Sequence, residues 1–352
     1  MWPKSRNYQS EKSISDKDVE QKIKELFWID ISWKSIKDIK RYINDWLTED
    51  ELKKYRDLVA TAWIISIREN IKDKIIISLD WRDAAWKWSN ISRVIKDLAI
   101  KRFWVKAFDI PTDEERFEDN WFQRYMKFFP EPGKIIFFDR SWYNRSWVEA
   151  AMWFGTLEEY NYFMENVVPF ELREIFEKGF KHLKIYLSVT KETQKDRLKK
   201  RNDKPRKNWK SSSIDRVAPE KRNDYTLSKF LTLSKTNHED SPWIVLDSNE
   251  KFLSSIEIMK AMIATNARLL EIIQNDLDVD LSPNLEIRRT AQQELILMRK
   301  NWDLEKASKK RWLTIDEVLD SDNIEKVFKF DTEEARKLRK EEELKKKTNK
   351  AI

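Results

Sequence analysis

Five short apolar runs, at residues 74–79, 104–108, 134–138, 183–189 and 243–247, punctuate this chain, with long helical stretches between them. The first reads Lys74-Ile-Ile-Ile-Ser-Leu79 and the third ends Ile135-Ile-Phe-Phe138. Near-continuous apolar segments of this length suit strands buried on both faces. The stretches 89–102, 113–128, 156–179 and 191–202 have the length and spacing of helices. Strands alternating with helices predict an α/β fold with a parallel five-stranded sheet covered by helices on both sides. Ligands of such sheets bind at the carboxyl ends of the strands. The segments after the first and third strands are therefore the places to look for chemistry.

The rest of the chain frames that core. Residues 1–15 are polar and aperiodic, and are expected to be disordered. From Asp16 to Asn70 the pattern is helical, with Val19, Ile23, Leu26 and Phe27, then Leu52, Tyr55, Leu58 and Val59, at three- and four-residue spacing. A single domain is expected over 16–275. Beyond about Ser248 the chain reads as wholly helical, and 276–352 as a charged helical extension. Its end, Asp331 to Lys350, is a run of Lys, Arg and Glu, which suits either a solvated helix or an arm for a polyanion or a partner subunit. There is no cysteine and there are only two histidines, which excludes a disulfide framework, a thiolate metal site and a histidine metal centre. No apolar run approaches the ~20 residues of a membrane span, and the N-terminus lacks the apolar core of a signal peptide. A cytoplasmic protein that needs no membrane is expected. The formal charge of +7 hints at a polyanionic partner, although a lysine excess is also an ordinary solvated surface.

After the first strand comes Asp80-Trp-Arg-Asp-Ala-Ala-Trp-Lys-Trp-Ser89. With Gly at positions 81 and 86, residues 81–87 would read G-x-x-x-x-G-K, the phosphate-loop signature. Such a loop aims backbone N–H groups at a phosphate and needs an uncrowded backbone with residues at positive φ. Tryptophan is about the worst replacement. The whole chain has 3 Gly and 17 Trp in 352 residues. Ordinary usage, Gly at about 7 %, would put roughly 25 glycines here. One residue has been written for the other if a codon read as Trp is Gly in the source, and UGA would do this.

Lys87 follows a strand and loop and opens a helix, where phosphate chemistry needs positive charge. Asp83 inside the loop would repel phosphate unless a metal ion or a proton transfer used it. In the second segment, Asp139-Arg-Ser-Trp-Tyr-Asn-Arg145, Asp139 is the strand-end carboxylate that helps hold Mg²⁺ in phosphoryl-transfer sites. Arg140 and Arg145 can grip phosphate oxygens bidentately. Glu149, four residues after Arg145, suits a helical ion pair equally well. A basic stretch between Lys191 and Arg222 has the make-up of a phosphate-closing lid, or of a solvated charged helix. Arg124 carries the same ambiguity.

At this point the chain resembles the polyphosphate kinase 2 family, over roughly residues 20–265. The loop Asp80–Ser89 is similar to that family's E-G-R-D-A-A-G-K-G-G, and Asp139–Glu149 to its D-R-S-W-Y-N-R-A/S-G-V-E. Gln123-Arg124-Tyr125, the stretch around Arg197 and Arg201, and Ser241-Pro242-Trp243 add to the likeness. Trp81, Trp86, Trp88, Trp147 and Trp153 stand where the family has Gly, whereas Trp142, Trp121 and Trp243 stand where it has Trp. The resemblance implies a three-layer phosphate-loop kinase fold with a helical lid over about 191–222, usually in a homo-oligomer. It also implies reversible, Mg²⁺-dependent phosphoryl transfer between inorganic polyphosphate and a nucleoside mono- or diphosphate such as ADP, AMP, GDP or GMP; no nucleic acid is expected. Asp83, Lys87, Asp139 and Arg140 would be catalytic, with Asp83 and Asp139 on the metal. Phosphate and nucleotide binding would fall to Ala84, Ala85, Trp86, Trp88, Ser89, Arg124, Asn144, Arg145 and Glu149, and to the lid residues Arg197, Arg201, Lys207 and Lys210.

Two other readings stay open on the sequence. One is a phosphate-loop kinase that uses ATP on a small acceptor. The other takes the tryptophans literally and gives an inactive scaffold that binds polyanions.

Overall fold

The computed structural model describes residues 50–62, 64–65, 71–82, 85, 87–96, 101–202, 220–277 and 281–332. The expectations for 1–15 and 16–49, for the middle of the lid at 203–219 and for the tail at 333–352 lie outside those residues. A first helix, α1, covers 50–62 and buries Leu52, Tyr55, Leu58 and Val59, the periodic positions, against the sheet. The order then runs β1 (Lys74–Trp81), α2 (Lys87–Ile95), β2 (Phe103–Ala107), α3 (Glu118–Met126) and β3 (Lys134–Asp139). It continues with α4 (Leu157–Phe170), β4 (Phe180–Ser188), α5 (Lys191–Asn202), α6 (Arg222–Thr236), β5 (Trp243–Asp247), α7 (Lys251–Ala264) and α8 (Ala267–Leu277). Next come β6 (Arg288–Thr290), α9 (Ala291–Lys300) and α10 (Trp302–Lys309), followed by short helical turns at Glu317–Leu319, Ser321–Asn323 and Ile324–Val327.

The sheet order is β2-β3-β1-β4-β5-β6. The first five strands pair in parallel, as expected from the alternation of strands and helices. The sixth corrects the count: β6 pairs antiparallel with β5, Val245 opposite Arg289. The chain beyond Ser248 is thus not wholly helical. A three-residue strand with two arginines offers no apolar periodicity, so only the neighbouring edge of β5 makes it a strand.

Two expected helices are also interrupted. Thr112 and Glu115 form a reciprocal capping box on a one-turn helix, Asp113–Arg116, and Phe117 then turns extended before α3 begins. Thr156 and Glu159 cap α4 in the same way. Pro169 lies inside α4 and lacks the N–H for the i→i−4 ladder; a π-helical turn, Glu171–Phe176, follows.

Alternate residues of each strand face opposite layers. Ile75, Ile77, Leu79, Ile135, Phe137, Ile185, Leu187 and Leu246 face α1, α2 and α7 in a mainly aliphatic core. Ile76, Ile136, Phe138, Tyr186 and Val245 face an aromatic layer of Trp121, Phe122, Tyr125, Trp142, Tyr143, Phe163 and Phe170. Among the described residues no helix is long and apolar enough to cross a membrane.

Candidate active site

The carboxyl ends of β1, β3 and β4 lie side by side, because β1 sits between the other two with Leu79 opposite Asp139 and Trp81 opposite Leu187. The loop after β1 begins with Arg82, whose N–H donates to Leu187 O, and Ala85 N–H closes back on Arg82 O at 3.1 Å. Ala85 is buried, and its carbonyl accepts from Ser248 Oγ at 2.8 Å, beyond the end of β5. Lys87 is the first residue of α2, as the motif predicts; Trp88 is exposed and Ser89 half-buried. Asp83, Ala84 and Trp86 lie outside the described residues, as do Lys207 and Lys210.

Asp139 ends β3 and is buried, and one strand over Asp80 is buried too. Ser141 Oγ donates to Asp80 Oδ2 at 2.6 Å, tying the two segments together. Arg140 between them has φ 75°, and its guanidinium carbon lies 5.8 Å from the Trp81 ring centroid. A non-glycine residue in that region costs about 1–3 kcal/mol and is typical of backbone held by a functional site. Trp142 Nε1 donates to Glu171 Oε1, and Lys184 Nζ donates to the Tyr143 hydroxyl, so the turn is anchored from beneath.

That anchor is a buried charged cluster. Lys184 Nζ lies 2.8 Å from Glu171 Oε2, and His238 Nε2 reaches the same oxygen at 2.8 Å. Burial would raise the Glu171 carboxyl, but Lys184 and His238 bring it down to about 2. His182 bridges Ser78 Oγ (2.9 Å) and Ser241 Oγ (3.0 Å), and burial lowers its pKa to about 3, so it is neutral.

Not every predicted residue points at the strand ends. Arg145 is almost wholly buried: Nη1 pairs with Glu159 at 2.8 Å, Nε with Glu149 at 3.3 Å, and the guanidinium lies 3.9 Å over the Trp121 ring. Arg116 joins the same carboxylates. Arg124 pairs with Glu115 at 2.8 Å and donates to Asp109 O. These groups form an ion-pair lattice that carries the loops after β2 and β3. Asn144 keeps a buried Oδ1 with no hydrogen-bond donor among the described residues. In α5, Arg197 Nη2 donates to Ser248 O and Asn249 O, docking the helix to the end of β5, and burial lowers its pKa to about 10. Arg201 belongs to α5 by its backbone alone.

Sequence reasoning missed Arg82, Asp80, Ser188 and Lys229. Arg82 Nη2 donates to Thr226 Oγ1 on α6, and Lys229 Nζ donates to Ser188 Oγ at the end of β4. Asp80 and Arg82 stood inside the motif; Lys229, about 150 positions downstream, gave no signal. Among the described residues no three His, Cys, Asp or Glu gather as a ready-made metal cage. The two strand-end carboxylates are nonetheless a hard-oxygen donor set, and Mg²⁺ is usually held by one or two carboxylates plus substrate phosphates.

The tryptophans divide into two groups. Trp121, Trp142 and Trp243 are buried, and each indole N–H has an acceptor at 3.0 Å. Trp147 and Trp153 bury their indole N–H with no acceptor among the described residues. Trp153 has φ 61° and Trp312 φ 57°. Each follows a helix at the left-handed position of a Schellman cap, closed by Phe154 N–H to Glu149 O and by Leu313 N–H to Ser308 O. That position usually belongs to glycine.

A parallel sheet, a strand–loop–helix with Lys87 opening the helix, and an acid at the end of the adjacent strand define a phosphate-loop kinase scaffold. The family model for Polyphosphate kinase 2 (PPK2) matches residues 47–270. The chain belongs to the polyphosphate kinase 2 family. It is 36% identical over 194 residues to NDP-polyphosphate phosphotransferase 2 of Ruegeria pomeroyi, covering 55% of this chain and 56% of that one. It is 36% identical over 202 residues to ADP-polyphosphate phosphotransferase 2 of Rhizobium meliloti, covering 56% and 65%. The chain thus spans between about half and two thirds of the length of these curated relatives. The crystal structure of polyphosphate kinase 2 from Arthrobacter aurescens TC1 aligns with TM-score 0.54 at 25% identity, over 72% of this chain and 87% of that one.

Proposed function

We propose that this protein transfers phosphoryl groups reversibly between inorganic polyphosphate and a nucleoside mono- or diphosphate, with Mg²⁺. We further propose that its working form has glycine at positions 81, 86, 88, 147 and 153, and at 312. The reading is carried by one observation: Asp139-Arg140-Ser141, at the end of β3, is hydrogen-bonded to Asp80 at the base of the phosphate loop. The names of the relatives, NDP- and ADP-polyphosphate phosphotransferases, support polyphosphate and a nucleoside diphosphate as substrates.

The chemistry asks for in-line positioning and neutralised charge rather than covalent catalysis. The bond between the terminal phosphorus and the last bridging oxygen of the chain breaks as an oxygen of the acceptor phosphate bonds to that phosphorus. Lys87 and Arg140 supply positive charge, and Asp83 orients or deprotonates the accepting phosphate. Asp139, with Asp83, would hold Mg²⁺, and Asp80 is tied to the same β3 end through Ser141; a bound Mg²⁺ would supply charge to the transferred group. The glycine reading rests on the left-handed Trp153 and Trp312, and on the buried indole N–H groups of Trp147 and Trp153, which have no acceptor among the described residues. A non-glycine residue in the left-handed region costs about 1–2 kcal/mol, and an indole in the loop would occupy the phosphate's place.

The test pairs the chain as written with a version carrying the six glycines, assayed with Mg²⁺, polyphosphate and ADP, AMP, GDP or GMP. Activity confined to the glycine version is expected. Folded protein without activity in either form would sink the kinase reading and leave a polyanion-binding scaffold. Full activity with tryptophan would sink the glycine reading alone.

A further inference from the structure

Residues 281–332 lie beyond the stretch matched by the family model; besides pairing β6 with β5 and bonding to α7, they pack along one further helix of the core. That helix is α6, which brings the chain back from the 203–219 segment. Leu227, Phe230 and Leu231 of α6 pack with Met298, Leu304 and Ala307. Asp303 lies 3.5 Å from Arg222, Arg311 pairs with Asp224, and Glu294 pairs with Lys229. On its inner side α6 touches the phosphate loop directly. Thr226 Oγ1 accepts from Arg82 Nη2 at 3.0 Å, and Lys229 Nζ donates to Ser188 Oγ at 3.0 Å. One helix is therefore held between the C-terminal segment and the floor of the site.

The electrostatics centre on Lys229. It is buried, and the groups facing it are Glu294 of α9, Arg289 of β6, Arg82 of the loop, and Tyr186 and Ser188 of β4. Glu294 is the carboxylate in this set and also binds Arg289 Nε at 2.6 Å. We propose that Glu294 is a positioning residue for the polyanion: it keeps Lys229 charged and α6 seated on Arg82, so that segment 281–332 sets the site's affinity for polyphosphate. The inference rests on the phosphotransferase reading above.

Burial pulls the Lys229 ammonium down to about 8, and Glu294 is what opposes the fall while Arg82 and Arg289 add to it. Losing Glu294 should therefore neutralise Lys229 near neutral pH. A polyanion contacting Arg82 would then meet a weaker field and a looser helix.

The experiment uses whichever full-length form, tryptophan or glycine, turns over polyphosphate. In Glu294→Gln the KM for polyphosphate should rise about five- to tenfold with kcat within about twofold, and the alkaline limb of kcat/KM should move down by about one pH unit. In Lys229→Arg, whose guanidinium stays charged, the limb near pH 8 should vanish. An unchanged KM and pH profile in Glu294→Gln, or an unchanged limb in Lys229→Arg, would overturn the inference. If Glu294→Gln does not fold, Lys229→Arg decides alone. Amide hydrogen exchange over 222–236 gives a readout that needs no catalysis, expected to be faster in Glu294→Gln. Unaltered exchange there overturns the brace whether or not polyphosphate is turned over, whereas a wild-type protein inert toward polyphosphate overturns the proposed function instead.

Discussion

The two faces of the sheet solve the same packing problem with different materials. On one, Ile77, Leu79, Leu187 and Leu246 meet α2 and α7 through aliphatic contact. On the other, a fully buried Glu171–Lys184 pair with His182 and His238 lies beneath Trp142, Tyr143 and Trp243. The difference follows from what each face supports. The aliphatic face only has to hold helices, and non-directional burial suffices. The aromatic face has to hold the turn Arg140-Ser141-Trp142-Tyr143 in place, with Arg140 in a left-handed conformation. Directional bonds do that: Glu171 fixes the Trp142 indole and Lys184 the Tyr143 hydroxyl. Buried charge beneath the site thus acts as a template for its backbone, at the cost of desolvation.

Removing one partner of that cluster gives the sharpest contrast between the faces. Lys184→Met leaves Glu171 buried without its main counter-charge and should lower stability by about 3–5 kcal/mol. Ile77→Val, on the opposite face of the sheet in the neighbouring strand, should cost about 0.5–1.5 kcal/mol. Urea unfolding of both variants checks the pair, and equal losses would mean that the cluster has no special role.

A smaller effect is expected from pH. His182 has its folded pKa depressed to about 3 from 6.5, so the unfolded chain takes up a proton first as pH falls. Its contribution is full above pH 6.5 and is lost on acidification toward 3. Glu171, with its folded pKa near 2, adds a further loss only below about 4.5. Between pH 6.5 and 4.5, His182→Gln should flatten the dependence of unfolding free energy by up to about 1.4 kcal/mol per pH unit. The same slope in both proteins would place the proton elsewhere.

The smallest change tests the caps, away from both faces. Trp312 is almost wholly exposed and left-handed, so Trp312→Gly removes little contact and relieves strain. A gain of about 1–2 kcal/mol is expected in thermal or urea unfolding. A loss would mean that the tryptophan belongs there.

How much of the site was legible depended on the kind of signal each residue carried. Lys87 and Asp139 sit at fixed offsets from apolar runs, so strand, loop and helix could be assigned and their places followed. Arg145 could be read either as a phosphate ligand or as the helical partner of Glu149, and it pairs with Glu149 as well as Glu159. Arg124 was equally ambiguous and meets Glu115, across the break at Phe117. A basic residue in a motif advertises its charge, while the carboxylate it meets lies on an element whose position only packing sets. Lys229 and Glu294 were illegible for the same reason: they come together across 65 residues, through a strand that has no strand-like sequence.

By itself, the sequence determined the parallel α/β plan, the two motif segments at the strand ends, and a glycine deficit matched by a tryptophan excess. Those are local properties, written in the periodicity of apolar residues and in single-residue chemistry. The tertiary structure alone decided the sixth strand, the inward turn of Arg145, the charged cluster under the site, and the seating of α6 between Arg82 and Glu294. Each of these depends on which distant groups share a buried volume, where an unpaired charge is costly, and no local pattern records that choice.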